Sequence, residues 1–266
     1  LKYLTEMLTK HHGQKTIILI DEYDTPLQEA YMHNFFSDTI EPFRNMLGEV
    51  LKGNEYIYKG VITGITRIAK ESLFSGVNNL RVHDITSNKY AEYFGFTEKE
   101  IQKICDAEHL EKLKSWYNGY TFGDSLTIYN PWSVINFLDN EYKFEPYWIN
   151  TSSNELIRDN LTADKMGSVK ALIEGHSIDV EIEPFTVMDN LKGNNTAFWN
   201  LLFMAGYLTL DADKKMRIPN KEIQYFFESV VMEWFGTISN QNIIQEFLRY
   251  LLAGQIDFVQ YYLSSM

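Results

Sequence analysis

The stretch TIILIDEYDTPLQEAY, residues 16–31, constrains the fold more than any other part of this chain. Thr16 to Ile20 is β-branched or apolar throughout, which fits a strand buried on both faces of a parallel sheet. It runs straight into Asp21, Glu22 and Asp24, and Thr25-Pro26 then opens a helix. In a parallel α/β layer, ligands gather beyond the carboxyl ends of the strands. Asp21 and Glu22 sit there by construction.

The flanking segments supply the rest of such a layer. Residues 1–12 place Leu1, Leu4, Met7 and Leu8 at helical spacing, and Gly13 ends that helix. Residues 40–51 carry Phe43, Met46, Leu47, Val50 and Leu51 on one helical face. YKGVITGI, residues 58–65, reads as a second buried strand, and RVHDIT, residues 81–86, as a third. Strand, helix, strand with crossovers of this length predicts a parallel α/β layer.

After about Ser87 the texture becomes helical. Thr97 and Glu100 form a capping box, Asn118 to Pro131 is loop-rich, and Pro131 starts a helix bearing Trp132, Val134, Ile135, Phe137 and Leu138. More helix is expected through SSNELIRDNL, residues 152–161. From about Thr196 a third texture begins: a helix closed by Gly206, a hairpin turning at DADKK, and a helix capped by Asn220. That last helix places Ile223, Phe226, Phe227, Val230, Val231 and Trp234 on one stripe. Helix, hairpin, helix is the C-terminal half of a winged-helix module. Residues 242–266 read as helix with a break at Gly254.

The strand-end acids suggest phosphate chemistry. Four apolar residues followed by Asp-Glu is the Walker B arrangement. Asp21 would hold Mg²⁺ through its water shell, and Glu22 would polarise the attacking water. Asp24 joins them as a third cofactor-binding acid. On the neighbouring strand Thr63 would sense the γ-phosphate, and Arg67 just beyond would meet charge on the phosphoryl group. Plainer alternatives stand beside each role. The acids are then a solvated strand end with Asp24 or Thr25 capping the next helix. Thr63 bonds a backbone group, and Arg67 is a surface ion pair.

Composition removes several classes. A formal net charge of −12 over 266 residues argues against a chain-wide nucleic-acid or anionic-membrane surface. The single cysteine, Cys105, allows no disulfide framework or zinc cluster within one chain, so a cytoplasmic setting is expected. Residues 198–210 form the longest strongly apolar segment, too short to span a bilayer. His11-His12 has no third ligand nearby and reads as a solvated helix end. The aromatic set Trp116, Tyr117, Tyr120, Phe122, Tyr129 and Trp132 could stack a base, but packing against the α/β layer is the stronger expectation.

Several long blocks together resemble a known family. IILIDEYDTPLQEAY, GVITGITRIAKESLFSGVNNL, AEYFGFTEKEI, WYNGYTFG, IYNPWSVINFL, PYWINTSSNELIRDNL and AGYLTL with RIPNKEI are similar to the bacterial predicted AAA-ATPase-like family. The resemblance implies an α/β fold: a P-loop NTPase-like parallel layer over residues 1–87, a helical lid over 88–190, and a winged-helix-like module with C-terminal helices over 191–266. It implies ATP and Mg²⁺ as cofactors of a full-length parent, and a nuclease-like domain downstream.

One part of that pattern is missing. A phosphate loop needs G-x-x-x-x-G-K-[ST], whose backbone N–H groups and lysine cradle the phosphates. Gly13 with Lys15, Gly53 to Lys59, and Gly119 to Gly123 do not fit it. In the family this loop lies upstream of the LIDEYD block. The chain therefore reads as a Walker B half truncated on its N-terminal side, and this fragment is expected neither to hold ATP tightly nor to hydrolyse it. Its partners would be the upstream segment and the downstream domain of the parent. Self-association stays open, membranes are not expected, and nucleic acid is not expected for this fragment alone. Two alternatives stay open: a regulatory or interaction module with an NTPase-like shape, and a DNA-binding adaptor using the winged helix.

Overall fold

The computed structural model describes residues 1–65, 79–149, 155–183 and 194–238. The chain is mixed α/β, with ten α-helices and three two-stranded sheets among the described residues.

The first layer is built from residues 2–62. Helix α1 (Lys2–His12) ends at Gly13, whose φ of 67° and N–H to the Thr9 carbonyl (2.8 Å) close it in the left-handed conformation glycine tolerates. Strand β1 (Thr16–Ile20) follows, then α2 (Thr25–Met32), α3 (Phe36–Leu51) and strand β2 (Ile57–Ile62). The two strands pair in parallel, with Leu19 opposite Val61 and Ile20 opposite Ile62. The β1–α2–α3–β2 order is the crossover that the sequence predicts. One face of the pair carries Ile20 and Ile62 and packs with Tyr23, Leu27, Phe43 and Leu47 from the helices. The other face is open: Ile17 is 57% and Leu19 75% exposed, with Val61 beside them. Burial on both faces is therefore not realised within the described residues. Leu1, at the cap of α1, and its apolar positions Leu4, Met7 and Leu8 are exposed as well.

Residues 81–86 correct the expectation of a third strand: they form none. The Asp84 carboxylate accepts from the Thr86 N–H (3.1 Å), the Thr86 hydroxyl (2.7 Å) and the Ser87 hydroxyl (3.1 Å). That local cluster turns the chain and competes with a ladder.

The middle segment contains α4 (Glu98–Ile104), α5 (Ala107–Tyr117), strands β3 (Tyr120–Phe122) and β4 (Leu126–Ile128), and α6 (Pro131–Asp139). Glu100 accepts from the Thr97 N–H at 2.8 Å, as the capping box requires. The β3–β4 hairpin stands where the sequence reads only as loop, because strands of three residues show too little alternation to be seen. Ile101, Cys105, Leu113, Tyr117, Tyr129, Val134 and Phe137 form its core. Trp116, Tyr117 and Tyr129 thus pack this segment on itself rather than on the first layer, while Trp132 is exposed.

The C-terminal segment contains α7 (Glu155–Asn160), α8 (Met166–Ile173), α9 (Asn195–Met204), the hairpin β5 (Thr209–Leu210) and β6 (Met216–Arg217), and α10 (Lys221–Ile238). Helix, hairpin and helix appear in the expected order. Ile223, Phe226, Phe227 and Val230 are buried together with Phe198, Leu202 and Phe203 of α9. The Trp234 side chain and residues 242–266 lie outside the described residues, as do 152–154. Several hydrogen bonds join this segment to the middle one. The Thr121 N–H donates to Thr209 Oγ1 at 2.8 Å, and Asn220 Nδ2 donates to the Asn118 carbonyl at 2.8 Å. Among the described residues no helix is long and apolar enough to cross a membrane.

Candidate functional site

The parallel register places the ends of β1 and β2 side by side. Pairing continues one step past the strands, with the Thr63 N–H on the Ile20 carbonyl and the Tyr23 N–H on the Thr63 carbonyl, each 2.9 Å. Asp21 and Thr63 are therefore neighbours across the sheet, although 42 residues separate them in sequence. The Thr63 hydroxyl donates to Asp21 Oδ1. The Glu22 N–H reaches the same Oδ1 at 3.1 Å and Thr63 Oγ1 at 3.3 Å. The structure thus brings together Asp21, Glu22 and Thr63, and leaves all three exposed.

Glu22 has a φ of 47°. A non-glycine residue held in the left-handed region stores about 1–3 kcal/mol of strain, and such residues cluster at functional sites. Here the strained residue is the one whose carboxylate the sequence assigns to water activation. The turn it makes is closed by the Thr25 N–H on the Glu22 carbonyl (3.1 Å), and the Thr25 hydroxyl approaches Glu22 Oε2 at 3.4 Å.

Asp24 sits apart from these two acids. It is buried, and its carboxylate accepts from Gln28 Nε2 (2.9 Å) and from the Ile65 N–H (3.3 Å). It occupies the N-cap position of α2 without a side-chain capping bond, and its side-chain contacts tie that helix to the chain leaving β2. Asp and Gln four apart share a helix face, so the Asp24–Gln28 half of this tie is visible in sequence. Arg67 lies outside the described residues.

Gly64 is the site residue that sequence reasoning missed. A Cβ built on it would meet Asp24 Oδ1 at 2.5 Å and the Tyr23 ring at 2.6 Å. Only a residue without a side chain lets the two strand ends approach this closely. The T-G pair after an apolar strand was the available signal, but its cause is a contact with residues 23 and 24, far away in sequence.

The donor set suits a hard cation. Mg²⁺ keeps most of its waters and takes one or two carboxylates, and Asp21 and Glu22 offer two exposed ones at the strand ends. Among the described residues no group of three or more His, Cys, Asp or Glu could cage a metal ion. Phosphate groups find no equivalent fit, because no stretch of the sequence supplies the glycine-rich loop and its lysine.

The family model described as predicted AAA-ATPase matches residues 1–74. A protein named "Uncharacterized protein in vnfD 5'region" from Azotobacter chroococcum mcd 1 is 26% identical over 235 residues, covering 82% of this chain and 44% of that protein. The chain thus spans less than half the length of this relative. No solved structure matches. Residues 1–74, which contain Asp21, Glu22, Asp24, Thr63 and Arg67, match the predicted AAA-ATPase family.

Proposed function

We propose that residues 1–74 carry the metal-side half of an ATP hydrolysis site, whose phosphate-binding half lies upstream in a longer parent protein. The observation that carries this reading is the Asp21–Thr63 hydrogen bond across the parallel strand pair, with Glu22 strained beside it. Asp21 would orient the water shell of Mg²⁺, and the Thr63 hydroxyl fixes the orientation of that carboxylate. Glu22 would accept the proton of the attacking water at its carboxylate, and Arg67 would contact phosphate. Mg²⁺, when bound, would supply charge neutralisation at the phosphate oxygens. Two observations support this reading: the longer relative, and an apolar face of Ile17, Leu19 and Val61 that is open among the described residues. A two-stranded sheet with one bare apolar face needs another layer over it. In the same reading residues 88–190 act as a lid, residues 191–266 as a winged-helix-like module, and a nuclease-like domain follows. A cytoplasmic setting belongs to this reading too.

The absence of a phosphate-loop pattern favours a second reading for the chain by itself, a non-catalytic interaction module of NTPase-like shape. The DNA-adaptor reading has less support. Asp211, Asp213, Glu222 and Glu228 interleave with Lys214, Lys215, Arg217 and Lys221 around the hairpin, and Glu222 is buried.

Calorimetry with Mg-ATP separates the first two readings. The 266-residue chain should show no saturable binding, whereas the full-length parent should bind. In the parent, Glu22→Gln should keep ATP bound and lower turnover by roughly 10²–10⁴-fold, the usual contribution of a general base. Asp21→Ala should weaken Mg-ATP binding instead. A parent that neither binds nor hydrolyses ATP would leave the interaction module as the function.

A further inference from the structure

Glu222 is a buried carboxylate with no role in the phosphate chemistry above. It lies in the first turn of α10 and is 0% exposed. Its Oε2 accepts from the Ser133 hydroxyl of α6 at 2.7 Å, and its Oε1 accepts from the Trp148 N–H at 2.6 Å. One side chain thereby joins the start of α10, the start of α6 and the 146–149 segment. Among the described residues the titratable groups facing it are neutral tyrosines: Tyr117 from α5, Tyr120 from β3, and Tyr147 beside Trp148. The Tyr120 hydroxyl is buried near Asn130 and Asn220 without meeting hydrogen-bond geometry to either. None of the ion pairs among the described residues involves Glu222, and its neighbour Lys221 is exposed.

We propose that Glu222 is a protonation-dependent latch between the start of α10 and the α6/146–149 surface. The physical basis is an asymmetry between its two forms. An ionised carboxylate shut away from water without a cation is costly even when hydrogen-bonded. The protonated form keeps both contacts, because one oxygen still accepts from the Trp148 N–H and the other can donate to or accept from Ser133. Protonation therefore favours the docked arrangement and ionisation favours release.

Burial pushes the Glu222 carboxyl up from its usual 4.5 to about 6, with the Ser133 hydroxyl and the backbone N–H of Trp148 pulling the other way. The docked state then binds more protons than the released state between those two values. Docking is strongest below about 4.5, weakens as pH rises through 6, and stays weak above it. The gap corresponds to about a 30-fold change in the docking equilibrium. The latch stands independently of the phosphate reading, since it concerns α10, α6 and residues 146–149.

Hydrogen exchange on the full 266-residue chain tests it, read on peptides covering residues 143–149 and 219–226 at pH 5.0 and 7.5 after correction for intrinsic rates. Wild-type protection should fall about 8-fold between pH 5.0 and 7.5, the part of the 30-fold range that lies between them. Glu222→Gln is neutral and nearly isosteric, so its protection should stay flat. Ser133→Ala keeps the carboxylate but removes a donor to its charged form, which should move the wild-type drop to higher pH. It serves even if Glu222→Gln does not fold. Equal pH dependence in wild type and Glu222→Gln, or a Ser133→Ala profile that does not move upward, would overturn the latch.

Discussion

Adding a single methyl group at Gly64 should unlock the base of the candidate site. In Gly64→Ala the new Cβ would lie 2.5 Å from Asp24 Oδ1 and 2.6 Å from two carbons of the Tyr23 ring. Both obstacles are fixed. Tyr23 and Asp24 are buried, and Gln28 holds the Asp24 carboxylate at 2.9 Å. Overpacking of this kind costs about 1–3 kcal/mol. Displacing Asp24 also stretches its bond from the Ile65 N–H, a charge-assisted contact contributing roughly 1.5 kcal/mol. The sum is about 2.5–4.5 kcal/mol. Gly48→Ala is the matched control. It lies within α3, and a Cβ there meets nothing within 4 Å. It should stabilise the same layer by about 0.5–1 kcal/mol, because alanine is the better helix former. Urea denaturation followed by circular dichroism reads both variants against wild type, and an unchanged slope would confine the effect to stability. If Gly64→Ala unfolds within about 0.5 kcal/mol of wild type, the ordinary range for surface substitutions, the close approach of strand ends does not hold the site.

Glu22→Gly should raise stability in the same titration by about 1 kcal/mol, since glycine relieves the left-handed φ; a loss would mean that the contact from Thr25 closes the turn. Asn130→Ala removes the acceptor of the Trp132 and Ser133 N–H groups at the start of α6 and should cost about 1–2 kcal/mol. Asn220→Ala should cost more, roughly 2–3 kcal/mol, because that buried side chain accepts from the Ile223 N–H and also donates to the Asn118 carbonyl. Equal losses for the two asparagines, measured by thermal or urea unfolding, would contradict the second tie.

What was legible in the sequence was local. The apolar run of β1 announced both the strand and the place where its acids would stand, because strand period and strand end are encoded by adjacent residues. The α10 stripe was legible for the same reason, and so were the caps at Thr97 and Asn220. The reading failed where a distant partner decides. RVHDIT has the β-branched look of a strand, but strands need a neighbour, and Asp84 offered the backbone a turn instead. Asp24 looks like Asp21 in sequence, since nothing local says which acid will meet Ile65. Glu222 looked like one more acid beside the hairpin. Its burial depends on Ser133 and Trp148, 89 and 74 residues away.

These misreadings change how the site is understood. In sequence the three acids read as one cluster, with Asp21 for the metal, Glu22 for water and Asp24 as a third cofactor-binding acid. The structure divides them into two exposed carboxylates and one buried anchor beneath. Asp24, Tyr23, Gln28 and Gly64 form a packed base that fixes where β1 and β2 end, and Asp21, Glu22 and Thr63 stand on it facing solvent. Such a base has a physical consequence for a site that must orient a hydrated cation. The carboxylates gain little from burial, so their geometry has to come from the backbone below them and from the Thr63 hydroxyl beside them. The strained turn at Glu22 fits that division, because strain persists only where the surroundings over-determine it. In the proposed reading the buried acid would serve the site by position, and the exposed pair would be left to meet metal and water.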